Sequence, residues 1–128
     1  MSNVIKEVAE YLEDNGIGTL GTDLGYSWAP DDDLDVQVTV LDTGGVEPDR
    51  ELPLSDPTFQ IFIRSKDYDT GKTKLDAIRA LLHQKTNVEL VANGIYFYYI
   101  FLQAEGGHIG RNDAGDDEFS MNFICKHR

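Results

Sequence analysis

Ile95-Tyr96-Phe97-Tyr98-Tyr99-Ile100-Phe101-Leu102 leads into Ala104-Glu105-Gly106-Gly107-His108-Ile109-Gly110-Arg111-Asn112-Asp113-Ala114-Gly115. Glu118-Phe119-Ser120-Met121-Asn122-Phe123-Ile124-Cys125 then returns. Aromatic and β-branched residues suit strands, and the glycines between the two runs suit a reversal, so the stretch reads as a β-hairpin. The first arm is apolar at every position from Tyr96 to Phe101. A strand covered on both faces reads that way. So does a strand with one face in the core and the other in a subunit interface.

Working outward, Val88 to Ala92 reads as a strand joined to Ile95 by a two-residue Asn93-Gly94 turn. Before it, Tyr68, Gly71, Leu75, Ile78 and Leu82 recur at three- and four-residue steps, which predicts a helix from Asp67 to His83. Phe59, Ile61 and Ile63 alternate in a strand ending at Arg64, and Val36, Val38 and Val40 alternate in another. Between these two, Asp42 to Pro57 reads as a loop, with Asp42-Thr43-Gly44-Gly45 as turn chemistry at a strand end. Asp23 to Asp35 also reads as a loop, preceded by a short strand near Ile17 to Leu20. A first helix, capped by Ser2 or Asn3, carries Val4, Ile5, Val8, Tyr11 and Leu12 on one face and stops at Asn15-Gly16. The predicted order is α-β-β-β-α-β-β-β over 1–128, a single α+β domain whose antiparallel-rich mixed sheet is packed by two helices.

With 128 residues, 41% hydrophobic, the chain suffices for one domain with a real core. Eleven basic residues against 23 acidic ones give a net charge of -12, spread along the chain. Such a field repels phosphate backbones, and no basic patch interrupts it, so sequence-specific nucleic-acid binding is not expected. The one cysteine, Cys125, excludes an internal disulfide and reads as a buried thiol. The start of the chain lacks a signal-peptide pattern, and the apolar run from Ile95 to Leu102 is too short to span a bilayer, so a cytosolic site of synthesis and no membrane partner are expected.

The search for chemistry yields one competing reading. Val40-Leu41-Asp42-Thr43-Gly44 and Ile109-Gly110-Arg111-Asn112 are similar to two words of retroviral-type aspartic proteases, which pair two small subunits to share a proton between aspartates. That resemblance would make Asp42 catalytic in a homodimer. Against it, a helix stands where that family has a glycine-rich flap, and a turn follows the arginine word where the family has a helix. Asp31, Asp32 and Asp33 form an acidic loop without the glycine and distal glutamate of a calcium loop, and Asp113 to Glu118 fails likewise. His83, His108 and His127 have no ligand-like spacing. Neither a cofactor nor a metal is expected.

From Pro57 onward the chain resembles the tail-terminator and minor-capsid proteins of long-tailed bacteriophages. Three groups of words carry the likeness: Phe59-Gln60-Ile61-Phe62-Ile63-Arg64-Ser65-Lys66-Asp67-Tyr68, then Leu75 to His83, then Ile109-Gly110-Arg111-Asn112-Asp113-Ala114-Gly115 followed by Phe119-Ser120-Met121-Asn122-Phe123. Their shared order over more than half the chain is the specific signal. The resemblance implies a non-enzymatic virion protein, assembled in the host bacterial cytoplasm. It implies a ring of like subunits, typically six, that ends the tail tube and meets the head–tail connector; a head-completion or minor-capsid role is the related alternative. The partners implied are the chain itself, the tail tube protein and the connector protein. Candidate interface residues are Asp42, Thr43 and Arg50 in the first loop and His108, Arg111, Asn112 and Asp113 in the last turn. For Arg111 the choice lies between an ion pair with a partner and a tie from the hairpin end to a nearby carboxylate. Asp31 to Asp33 would line a DNA passage that repels the strand.

Overall fold

In the computed structural model of the chain, residues 4–26, 35–46, 56–92, 94–111 and 115–127 are described. Their order is α1 (Val4–Asp14), β1 (Leu24–Tyr26), β2 (Val36–Val46), β3 (Asp56–Ser65), α2 (Tyr68–Leu82), β4 (Lys85–Glu89), β5 (Tyr96–Arg111) and β6 (Asp117–His127). This is the α-β-β-β-α-β-β-β order expected of an α+β chain. The strands form one six-stranded sheet in the order β1-β2-β3-β6-β5-β4. Only β1 lies parallel to its neighbour; every other pairing is antiparallel.

Both helices pack on one face of this sheet. Phe59, Ile61 and Ile63 of β3 point into the core with Phe119, Met121, Phe123 and Cys125 of β6. Ile5, Val8, Ala9 and Leu12 of α1 and Leu75, Ile78 and Leu82 of α2 close over them. Cys125 is buried, as its strand position predicts. The α2 stripe read from the sequence is therefore the face that meets the sheet. Gly71 belongs to it for a steric reason: a Cβ there would lie 2.3 Å from the Phe119 ring, so only glycine lets the helix come this close.

Helix ends follow local chemistry. Asp67 caps α2 by accepting from Thr70 N at 3.1 Å, and His83 follows its last turn. The α1 helix ends in paired backbone bonds, Gly16 N to Glu13 O and Ile17 N to Leu12 O, with Gly16 at φ +79°. That geometry is nearly free of cost only for glycine. The proposed caps Ser2 and Asn3 lie outside the described residues.

Several boundaries differ from the sequence reading. The first strand is Leu24–Tyr26, inside the expected loop, while Ile17 to Leu20 contributes one isolated bridge, Leu20 to Leu24. There Thr19 N is taken by Asp23 Oδ1 and Leu20 N by Glu13 Oε2, so side chains satisfy the backbone that a strand would have paired. The fourth strand is Lys85–Glu89, not Val88 to Ala92, and pairs Glu89 with Tyr96. The connection to β5 is thus longer than a two-residue turn; Asn93 lies outside the described residues, and Ile95 N is held by Glu7 Oε1 of α1 at 2.7 Å. Most consequential, β2 runs on to Val46 and β5 to Arg111. Asp42-Thr43-Gly44 is therefore strand, with a register shift between Asp42 and Gly45, and not a turn at a strand end.

Candidate assembly surfaces

Strand register sorts the candidate residues into two groups. Asp42 stands opposite Phe59, while Arg111 stands opposite Asp117, which pairs with Ser65. Residues 59 and 65 are separated by six steps of β3, about 20 Å at the usual rise. The two groups thus occupy opposite ends of one sheet.

At the β5–β6 end, two adjacent aspartates turn inward at the start of β6. Asp116 and Arg64 form a buried ion pair, with side chains only 8% and 9% exposed. Asp117, its side chain 3% exposed, receives His108 Nε2 at 2.8 Å and Arg111 Nε at 3.3 Å on the same oxygen, Oδ1. Its Oδ2 is buried without a hydrogen-bond partner. Burial pushes the Asp117 carboxyl up, but the hydrogen bonds from His108 and Arg111, with the charge on each, outweigh it and hold the group below the ordinary 3.8. The imidazole of His108 also packs between Tyr68 and Phe119, each with ring centres 5.1 Å away. Arg111 thus does tie the hairpin end to a carboxylate, and its side chain still remains 70% exposed. Asn112 and Asp113 lie outside the described residues.

The sequence reading named His108 and Arg111 here but missed Asp116, Asp117, Arg64 and Tyr68. A signal existed: Asp117 lies six residues past Arg111, and the pairing of β5 with β6 brings the two together.

At the other end, Asp42 and Thr43 are both exposed. Thr43 Oγ1 lies 2.7 Å from Thr58 Oγ1 across the β2–β3 pair. Arg50 and the acidic loop Asp31 to Asp33 lie outside the described residues. The protease reading needs Asp42 at the end of a strand, whereas it stands within β2, and α2 fills the chain segment between β3 and β4. Among the described residues no three His, Cys, Asp or Glu side chains gather as a metal would require, and no helix is long and apolar enough to cross a membrane.

The described residues thus form a six-stranded mixed sheet with both helices on one face and charged or polar side chains at its two ends. Residues 11–127 match the family model described as bacteriophage tail terminator protein, and the chain belongs to that family. It is accordingly a structural protein of phage tail assembly and of the virion. A chain from a structure described as the virion of a native gene transfer agent particle shares the fold, with a TM-score of 0.66 and 16% identity over 94% of this chain and 90% of that one. No curated protein matches the chain.

Proposed function

We propose that the protein forms a closed ring of like subunits, six by the family resemblance, at the end of the tail tube. There it stops tube polymerisation and offers its outer side to the head–tail connector, without catalysing a reaction. The observation that carries this reading is the placement of the described candidate residues at opposite ends of one sheet. A ring between two different partners needs two different faces, and a subunit built with unlike ends supplies them when repeated by rotation. The fold shared with a chain of a gene transfer agent virion supports a place in such a particle. In this reading His108 and Arg111 belong to one face, and Asp42 and Thr43 to the other. The acid run Asp31 to Asp33 would repel DNA passing through such a ring.

The test is negative-stain imaging of the purified protein mixed with assembling tail tubes, with native mass read on the same sample. Closed rings capping the tube ends are expected. Strict dimers that never associate with tubes would overturn the reading. Peptide cleavage at acidic pH that Asp42→Asn abolishes would replace the reading with a dimeric aspartic protease.

A further inference from the structure

The two lateral margins of the molecule differ in charge. Helix α1 packs over β1 and β2 toward one margin, and α2 packs over β3, β6 and β5 toward the other. The charged residues between Val4 and Tyr26 are Glu7, Glu10, Glu13, Asp14 and Asp23, against Lys6 alone. Glu13 accepts the Leu20 N–H and Asp23 the Thr19 N–H, so the turn that leads into β1 is pinned by carboxylates. The α1–β1 margin is therefore acidic and held in one shape.

The β5 margin combines apolar surface with cations. The exposed large hydrophobic residues among those described are Tyr68, Phe101 and Ile109, and Ile109 is 59% exposed. Phe101 and Ile109 lie on β5 and Tyr68 packs against His108, so all three gather here. His83 also reaches β5, where its Nδ1 accepts the Leu102 N–H at 3.0 Å. Exposed Arg79 lies one helical turn before His83 and so on the same side of α2. Lys72 shares that side, its charge offset by Asp76 at 3.1 Å. Asp69 and Lys74 lie on the side toward α1, lining a groove with Asn15 and Ile17. Arg111, its side chain 70% exposed, stands at the corner where this margin meets the end of the sheet.

Resting on the ring reading above, we propose that the β5–α2 margin of one copy docks on the acidic α1–β1 margin of the next. In that reading the two ends of the sheet meet different partners, so the ring axis runs broadly along the strands. Rotation about such an axis sets each level of one copy beside the same level of its neighbour. The levels match. Register ties Leu24 to Val38, Val38 to Ile63, Ile63 to Phe119 and Phe119 to His108. The turn before Leu24 and the stretch His108 to Arg111 thus share one level on opposite margins, and Ile109 comes opposite Thr22 of the next copy. Charge agrees: Arg79 and Arg111 approach a margin where carboxylates outnumber cations, and complementary potentials fix which surfaces meet. An aromatic and aliphatic cluster flanked by arginines is also the composition that anchors protein interfaces. Unlike margins joined head to tail close into a ring, whereas the β5 margin on itself would give a two-fold dimer.

The experiment places cysteines at exposed positions of the two margins, Thr22→Cys and Ile109→Cys, alone and together. The protein is mixed with assembling tail tubes and treated with a short bis-maleimide. The wild type, whose Cys125 is buried, is the control. The double variant should give a ladder of covalent multimers that ends at the ring number, and neither single variant should pass monomer. Adding Arg79→Glu should abolish the ladder while leaving the circular dichroism of the folded chain unchanged. A ladder untouched by that charge reversal would overturn the proposal. So would a dimer formed by Ile109→Cys alone, because it reports the β5 margin on itself. Rings of the double variant seen by microscopy without a ladder would overturn it while leaving the ring reading intact. A wild type that forms no rings would remove the ring reading and this docking with it.

Discussion

The two ends of the sheet are secured in different ways. At the β5–β6 end, charge is buried: Asp116 is locked to Arg64, and Asp117 collects His108 and Arg111. At the β2–β3 end, the cross-strand contact described for Thr43 is an exposed hydroxyl pair beside a register shift. Buried ion pairs carry a large penalty when half broken, while exposed polar pairs contribute little. One end is thus built to hold a single geometry. The hydroxyl pair described at the other contributes less to fixing its geometry.

The largest effect is expected from Asp116→Ala. It leaves the Arg64 guanidinium buried beside a lost carboxylate, and removing one partner of a buried pair costs about 3–5 kcal/mol. Thermal or urea unfolding of the variant should show a loss of that order. Replacing both residues together, Arg64→Met with Asp116→Leu, should recover much of it, since an apolar pair of similar volume is often no worse than the ions. A loss below about 1 kcal/mol for Asp116→Ala would mean that this end is not braced by the pair, and the contrast between the two ends would collapse.

Asp117 sharpens the comparison through pH. Its carboxyl is held below 3.8 in the folded protein, so it binds a proton less readily folded than unfolded. The stability this supplies is present above the unfolded value and is lost as pH falls through the lower folded value. Unfolding midpoints followed downward from pH 6 should therefore fall more steeply below about pH 4 in the wild type than in Asp117→Asn. Parallel curves for the two proteins would show that the two hydrogen bonds do not favour the charged carboxylate.

How much of this was legible in the sequence depends on how local each determinant is. The α2 helix was readable to its caps because Asp67, the apolar stripe and His83 lie within one segment. Alternation in β3 and β6 was readable because one face of each enters the core. Strand extension was not. Gly106-Gly107 and Asp42-Thr43-Gly44 carry turn-forming residues, yet pairing with β6 and β3 draws both into strands with irregular register. Strand β4 gave little signal because its residues are half-buried or exposed throughout, leaving no apolar alternation. The unbroken apolar run of β5 has a specific origin: a register shift between Phe97 and Tyr99 resets the alternation. Phe97 and Ile100 reach the core, while Tyr99 and Phe101 stack on each other with centres 5.0 Å apart. At the hairpin end, Arg111 was recognised as a charge needing a partner, but the partner became identifiable only once β5 and β6 were in register.

The smallest effect is expected at the β2–β3 end. Thr43→Val keeps the β-branched shape that suits a strand and removes only the hydroxyl that meets Thr58. A cross-strand pair of this kind contributes about 0.2–1 kcal/mol, and exposure places this one toward the low end. Unfolding should shift by no more than about 0.5 kcal/mol, and the pH dependence should follow the wild type because no charge is touched. If this arm meets a tail partner, the same substitution should weaken capping of tube ends more than it weakens the fold. A stability loss as large as that of Asp116→Ala, with capping unchanged for the protein still folded, would make the β2–β3 arm the rigid end and reverse the assignment of the two ends.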